Sequence, residues 1–307
     1  MSYRFDNMDA SESAFLSRQL EVIRSQTYDI KFPQLKARDF VPVDNSVSPG
    51  AETVTYRQYN MFGLAKIIAN YADDLPRADV SAAEFTSKIR SLGSSYGYSI
   101  QEVRAAQFAG VPLEQRKANA ARRAMEEKID SIARVGDAAN SLLGLLNQPN
   151  TSTYSVPNGG GGDTEWGTKT PDEIVADMHG IANGMVQDTK EVEQPDTLLL
   201  PLTSYGLVST KRMGDGSNET ILSYFLKTSM YVKTVAPWTA LETAGSGSVK
   251  RMVCYRRDPD VLQLIVPQEF EQLPPQSRGF EVVTPCHMRC GGVVAYYPLA
   301  ISYGDGI

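Results

Sequence analysis

Three groups of residues in this chain have the types and spacing to do chemistry. Cys286-His287-Met288-Arg289-Cys290 places two of the three cysteines and one of the two histidines within five positions. Two thiols with an imidazole between them could hold a metal ion or form a redox pair. Gly93-Ser94-Ser95-Tyr96-Gly97 matches Gly-x-Ser-x-Gly, the pattern in which a sharp turn exposes a serine nucleophile. Asp260 and His287 would be its acid and base. Asn158 is followed by Gly159, Gly160, Gly161 and Gly162, whose backbone amides could cradle a phosphate.

The elements that must position these residues argue against each chemistry. "FEVVTPCHMRC" is rich in β-formers, and side chains alternate between faces along a strand. Phe280, Val282, Cys286, Met288 and Cys290 then share one face, and Glu281, His287 and Arg289 the other. His287 points away from both thiols. Four residues of extended chain separate the cysteines by ~13 Å, beyond the ~7 Å between Cα atoms that a disulfide can span. A structural zinc site takes four ligands, usually in paired clusters, and only Cys254 and His179 remain elsewhere. The stretch reads as a strand with a soft, buried face, because free cysteine behaves as a small hydrophobe. Before Ser95, "TSKIRSL" carries Lys88 and Arg90, too polar for the buried parallel strand that leads into a hydrolase nucleophile. No glycine-rich oxyanion loop lies upstream. The glycine run lacks a following Gly-Lys-Ser/Thr, and no Gly-x-Gly-x-x-Gly occurs. Asp258 and Asp260 flank Pro259 in a turn. The expectation is no catalytic residue, no metal and no cofactor, with a serine hydrolase built on Ser95 as the rival of a different class.

Composition agrees with a folded, non-catalytic chain. The 307 residues, 42% hydrophobic and 21% charged, suit one large or two ordinary domains. No run approaches the ~18 apolar residues of a membrane span, and the start, "MSYRFDNMDASESAFLSRQL", lacks an apolar signal core. Neither a membrane nor export is expected. Three cysteines cannot all pair, which fits a reducing compartment. A net charge of −6, from 30 basic and 36 acidic residues, argues against a dedicated nucleic-acid binder. Residues 151–200 hold nine acidic side chains against Lys169 and Lys190, a balance of −7, so the remainder is nearly neutral. A solvated acidic face accounts for that block.

Along the chain, residues 1–50 read as an arm, with one amphipathic helix over 14–23 and then Pro33, Pro42 and Pro49. Residues 51–97 have two alternating, β-rich ends, "ETVTYRQYN" and "FTSKIRSLGSSYGYS", and read as one long, half-exposed hairpin. Ser99 with Glu102 forms a capping box, and Gly110 stops that helix. A long helix runs from Pro112 to Gly136, with a narrow stripe of Ala118, Ala121, Met125, Ile129 and Ile132. Residues 147–168 form a loop. Thr170 and Pro171 then open a helix, "DTLLLPLTSYGLVST" is a buried strand leading into a helix or turn, and Asn218 caps a short helix. From Lys250 the chain turns to strands, with a break at Gly291-Gly292.

Taken as a whole, the order resembles the major capsid proteins of tailed bacteriophages, the Hong Kong 97-type or encapsulin-like fold. The residues that carry the resemblance are "TYRQYNMFGLAKIIANYADDLPRADV" (55–80), "DTLLLPLTSYGLVSTKRM" (196–213), "RMVCYRRDPDVLQLIVPQEFEQLPPQ" (251–276) and "PCHMRCGGVVAYYPLAISYGDGI" (285–307). It covers the chain from about residue 45 onward. The resemblance implies an α+β fold with an N-terminal arm (1–50) and an extended hairpin loop (51–97). A peripheral domain would comprise 98–146 and 251–293, with the spine helix at 112–135. An axial domain would comprise 147–250 and 294–307, with Gly159, Gly160, Gly161 and Gly162 at its loop tip.

The function so implied is a structural subunit that self-assembles through hexamers and pentamers into an icosahedral virion shell around double-stranded DNA. Assembly is expected in the host cytoplasm. Partners would be other copies of the chain, a portal, and separate scaffold or decoration proteins; some relatives carry a scaffolding segment before the arm, which this chain has no room for. The packaged DNA would be contacted only weakly, since residues 1–40 carry six basic and six acidic side chains. The alternative within the fold is an encapsulin-like nanocompartment. Candidate contacts between subunits are Tyr56, Arg57, Tyr59, Lys88 and Arg90 on the extended loop.

Overall fold

The computed structural model describes residues 31–67, 77–110, 113–214, 216 and 218–307, of which 35–307 form one compact unit. The helix expected over 14–23 lies outside the described residues. In chain order the first elements are helix α1 (Ala37–Phe40) and strands β1 (Val43–Asp44), β2 (Thr53–Phe62), β3 (Asp79–Lys88) and β4 (Arg90–Ser99). Helices α2 (Ile100–Ala109) and α3 (Leu113–Val135), strand β5 (Ser152–Tyr154) and helix α4 (Pro171–Asp188) follow. Next come strand β6 (Thr197–Leu200), helices α5 (Leu202–Thr210) and α6 (Ile221–Thr228), and strands β7 (Thr234–Pro237) and β8 (Arg251–Tyr255). The chain closes with β9 (Leu262–Ile265), β10 (Gln268–Gln272), β11 (Gln276–Arg278), β12 (Glu281–Cys290), β13 (Gly292–Ala295) and β14 (Ile301–Asp305).

Strands β6 and β8, apolar apart from Thr197 and Arg251 at their first positions, are buried along their length except at Arg251 because both their faces are covered. They sit centrally in a five-stranded sheet ordered β5-β14-β8-β6-β7. Leu198, Leu200, Met252 and Cys254 face a core built with α4, α5 and α6. Leu199, Val253, Tyr255 and Ile301 face a second core that includes α1, α3 and the inner face of β12. Strand β12 is itself the spine of a second sheet. It pairs along its whole length with β4 and, on its other edge, with β10 and β11.

Helix α3 buries the stripe that its sequence marks. Ala121, Met125, Ile129 and Ile132 are buried and Ala118 is half-buried, while Arg122–Glu126 and Arg123–Glu127 pair on the solvent side at 2.8 and 2.7 Å. Gly136 ends it with φ +74°, and a Cβ there would sit 2.3 Å from the Leu142 carbonyl oxygen. The capping boxes at Ser99/Glu102 and Thr170/Glu173 are both formed, with Pro171 in the first turn of α4.

Three expectations change. The hairpin is β2 with β3 and ends at Lys88; the third extended stretch, β4, leaves it and pairs with β12. Alternation shows that a segment is a strand but not which strand it pairs with, and Ile89, 3% exposed, marks the handover. The short helix after residue 218 is capped by the Thr220 side chain, not by Asn218. The last third of the presumed arm is also stitched into the body. Phe40 packs on Trp238 at 5.2 Å between ring centroids, the Tyr255 hydroxyl donates to the Phe40 carbonyl, and β1 pairs with β9.

Candidate assembly surfaces

The chemistry-bearing residues fall where strand geometry puts them. Cys286, Met288 and Cys290 are buried, with His287 and Arg289 on the opposite face of β12. Burial pushes the Cys290 thiol up to about 11 and raises that of Cys254 as well, so both are protonated and unreactive at neutral pH. Ser95 lies in the middle of β4 opposite Pro285, on ordinary strand backbone rather than a strained elbow. The register does bring His287 next to it along the same face, opposite Gly93 on β4 and Glu271 on β10. Yet Glu271 accepts from Gln268 instead of His287. Asp260 belongs to the turn in which its amide donates to Asp258. Among the described residues no group of three or more potential ligands could hold a metal ion.

Among the described residues, the hairpin concentrates exposed apolar side chains on its distal part. Its inner face is tied to the body at the root by side chains that period-2 alternation places together. Tyr56 stacks on Phe85 at 5.3 Å and meets Tyr296 edge-on at 4.9 Å. Its hydroxyl donates to the Ala295 carbonyl, and Gln58 Nε2 donates to the Tyr296 carbonyl. On the outer face Arg57 and Glu84 pair across the strands at 2.6 Å. Further out the body no longer helps. Tyr59, Met61 and Val80 are 61, 79 and 56% exposed on the outer face, and Leu64 is exposed beyond them.

The five candidate contact residues therefore divide. Tyr56 faces its own chain, Arg57 is engaged across the hairpin, and Tyr59 is outward and free of the body. Lys88 ends β3, and Arg90 begins β4 opposite Cys290, off the hairpin. Sequence reasoning missed Gln58, Phe85 and Tyr296 as the anchor. The signal for the first was present, since Tyr56 and Gln58 share a face.

Gly159 to Gly162 form a tight turn rather than a loose tip. Gly162 N–H donates to the Gly159 carbonyl, and Gly159 N–H to that of Asp163. Gly160 N–H donates to Glu173 at the start of α4. A Cβ on Gly159 would lie 2.7 Å from Lys169 Cγ, so the side chain of Lys169 occupies the space that glycine leaves. Beneath the turn, Lys169 and Asp177 form an ion pair at 2.6 Å with both side chains 1% exposed. Trp166 Nε1 donates to Asp177, and Lys169 also donates to the Pro157 carbonyl. Part of the acidic block is thus an internal brace.

The family model for the major capsid protein matches residues 63–307. In structure the chain is similar to the capsid of Myoviridae phage XM1, with a TM-score of 0.84 at 19% identity over 96% of this chain and 100% of that one. It is similar to the capsid of a native GTA particle at TM-score 0.65 and 11% identity, over 98% of this chain and 99% of the other. A virus-like particle from Pyrococcus furiosus aligns at TM-score 0.53 and 12% identity, over 87 and 90%. No curated protein matches by sequence. At these identities the structural likeness shows the fold, which is that of phage capsid proteins.

Proposed function

This chain belongs to the major capsid protein family, and we propose that its copies close through hexamers and pentamers into an icosahedral shell around the double-stranded DNA of a tailed phage. The chain is a structural subunit of a phage-type capsid, a virion component and not an enzyme. The observation that carries the finer reading is the distal hairpin. Two strands alone are marginal in water, and here they hold Tyr59, Met61 and Val80 outward and more than half exposed. A neighbouring copy is the natural cover.

In this reading the arm is 1–50, the extended loop lies within 51–97, and the spine helix is α3. The peripheral domain is 98–146 with 251–293, and the axial domain is 147–250 with 294–307. Because β8 shares a sheet with β6 and β14, the second boundary is better drawn after Tyr255. Gly159 to Gly162 belong to the axial domain. A portal and separate scaffold or decoration proteins complete the particle in the host cytoplasm, and packaged DNA touches the shell only weakly.

Electron microscopy of the purified protein tests this. Closed shells are expected, and shells recovered from infected cells should contain nuclease-protected DNA. Shells that enclose a protein cargo and no genome would favour the nanocompartment reading instead. Absence of any closed particle would overturn both.

A further inference from the structure

Where β3 hands over to β4, at the root of the hairpin, Lys88, Arg90 and Arg289 line a hollow of about 470 Å³ together with Glu52 and Ser91. Three cations thus face one carboxylate, and none of the three is in an ion pair among the described residues. Arg289 is held in place by the β12 register, opposite Ser91 on one side and Gln268 on the other. Its Nη1 donates to the Pro49 carbonyl, but its Nε is buried and finds no acceptor among the described residues. A buried charged donor without an acceptor is costly, and native proteins rarely leave one so.

The geometry points to an oxyanion site that is completed when a carboxylate of a second copy of this chain enters between Lys88, Arg90 and Arg289. This rests on the reading of Lys88 and Arg90 as contacts between subunits and names what they contact. Charge complementarity selects the occupant. The chain carries 36 acidic residues against 30 basic ones, and Glu165, Asp172 and Glu191 in the acidic 151–200 block are exposed and make no ion pair with another described residue. A neighbour therefore presents carboxylates in excess. Glu52 already lines the hollow, so a monoanionic carboxylate is repelled less than a phosphate dianion. One compact hollow is also unlike the extended basic stripe that follows a nucleic-acid backbone.

The test uses the full chain with the double substitution Lys88→Gln and Arg90→Gln. Assembled fraction is measured by sedimentation across a sodium chloride series, and inorganic phosphate and duplex DNA are titrated into unassembled subunits. The double variant should unfold at the wild-type temperature, assemble at least about tenfold more weakly at low salt, and lose most of the salt dependence of the wild type. The charge-preserving pair Lys88→Arg and Arg90→Lys should restore assembly. In a cryo-electron microscopy map of wild-type shells, a neighbour's carboxylate should lie within about 4 Å of one of the three cations. Assembly of the Gln variant like wild type at every salt concentration would overturn the site. So would a phosphate or DNA complex at these residues in the unassembled subunit. Hydrogen exchange on wild-type shells separates this from the hairpin reading: if 59–62 is protected while the map shows no neighbour's carboxylate at the hollow, hairpin docking stands and the anion site falls.

Discussion

Lys169 and Asp177 show how far charge patterning can mislead at the scale of single residues. Burial pushes the Asp177 carboxyl up, and hydrogen bonds from Lys169 and Trp166 oppose that rise without cancelling it. Removing one partner leaves the other charge buried and uncompensated, so Asp177→Ala should lose about 3–5 kcal/mol, read by denaturant unfolding of the subunit. Glu126→Ala, which breaks an exposed pair on α3, should lose less than about 1 kcal/mol. His179 supplies a pH test. It packs on the Phe225 ring at 4.8 Å and meets the Thr228 hydroxyl at 3.1 Å, and burial lowers its pKa below the ordinary 6.5. The unfolded chain then takes up the proton first. The stability linked to this residue is complete above pH 6.5 and is lost as pH falls toward and through the lower folded value. His179→Phe should flatten the unfolding profile below that pH; an unchanged profile would assign the acid sensitivity elsewhere. Ser95 on its flat strand should be silent, and Ser95→Ala should leave any ester hydrolysis in the preparation unaltered.

Elements depend on their ends here. Helix α2 buries none of its side chains, so packing does little to hold it and the Ser99/Glu102 box carries more of the burden. Ten isolated residues form a marginal helix in water. Ser99→Ala should cost about 1 kcal/mol and raise amide exchange within 100–109 while leaving α3 protected. At the end of α3, Gly136 has no such slack. A Cβ meets the Leu142 carbonyl, and the turn that follows also brings the Gly144 backbone nitrogen to 3.0 Å of the same position. Gly136→Ala combines a left-handed backbone with that clash and should lose at least about 1–3 kcal/mol. Loss of less than a few tenths would mean that the 137–142 turn can open without disturbing the spine helix.

Across the whole molecule the hairpin divides into an anchored root and an uncovered outer half. Hydrogen exchange should show 53–58 partly protected in the free subunit, because Tyr56 and Gln58 are tied to Ala295 and Tyr296. Residues 59–62 and 79–82 should gain protection only in shells, where ordering is met by contacts across the subunit boundary. Met61→Ser with Val80→Ser should leave subunit stability within about 0.5 kcal/mol and suppress assembly. Equal protection of 59–62 in both states would remove the hairpin from the interface. Duplex DNA should bind unassembled subunits weakly at physiological salt, because few phosphates can be neutralised by a chain of net charge −6.

Local rules by themselves determined the α3 stripe, both capping boxes, the start of α4 at Thr170-Pro171, and the burial of Cys286, Met288 and Cys290. They also placed His287 on the face of β12 opposite both thiols, because alternation along one strand is a property of the backbone. Tertiary structure alone decided pairing. Nothing in "FTSKIRSLGSSYGYS" says that Phe85–Lys88 pair with β2 and Arg90–Ser99 with β12, since either partner satisfies the same period of two. The seating of Phe40 against Trp238 and the meeting of Lys88 and Arg90 with Arg289 join residues far apart in the chain, and the burial of Lys169 against Asp177, only eight residues on, depends on what packs around the pair. Those contacts form only when sheets and helices are packed, and it is packing that turns ordinary charged and aromatic residues into anchors, a brace and a hollow.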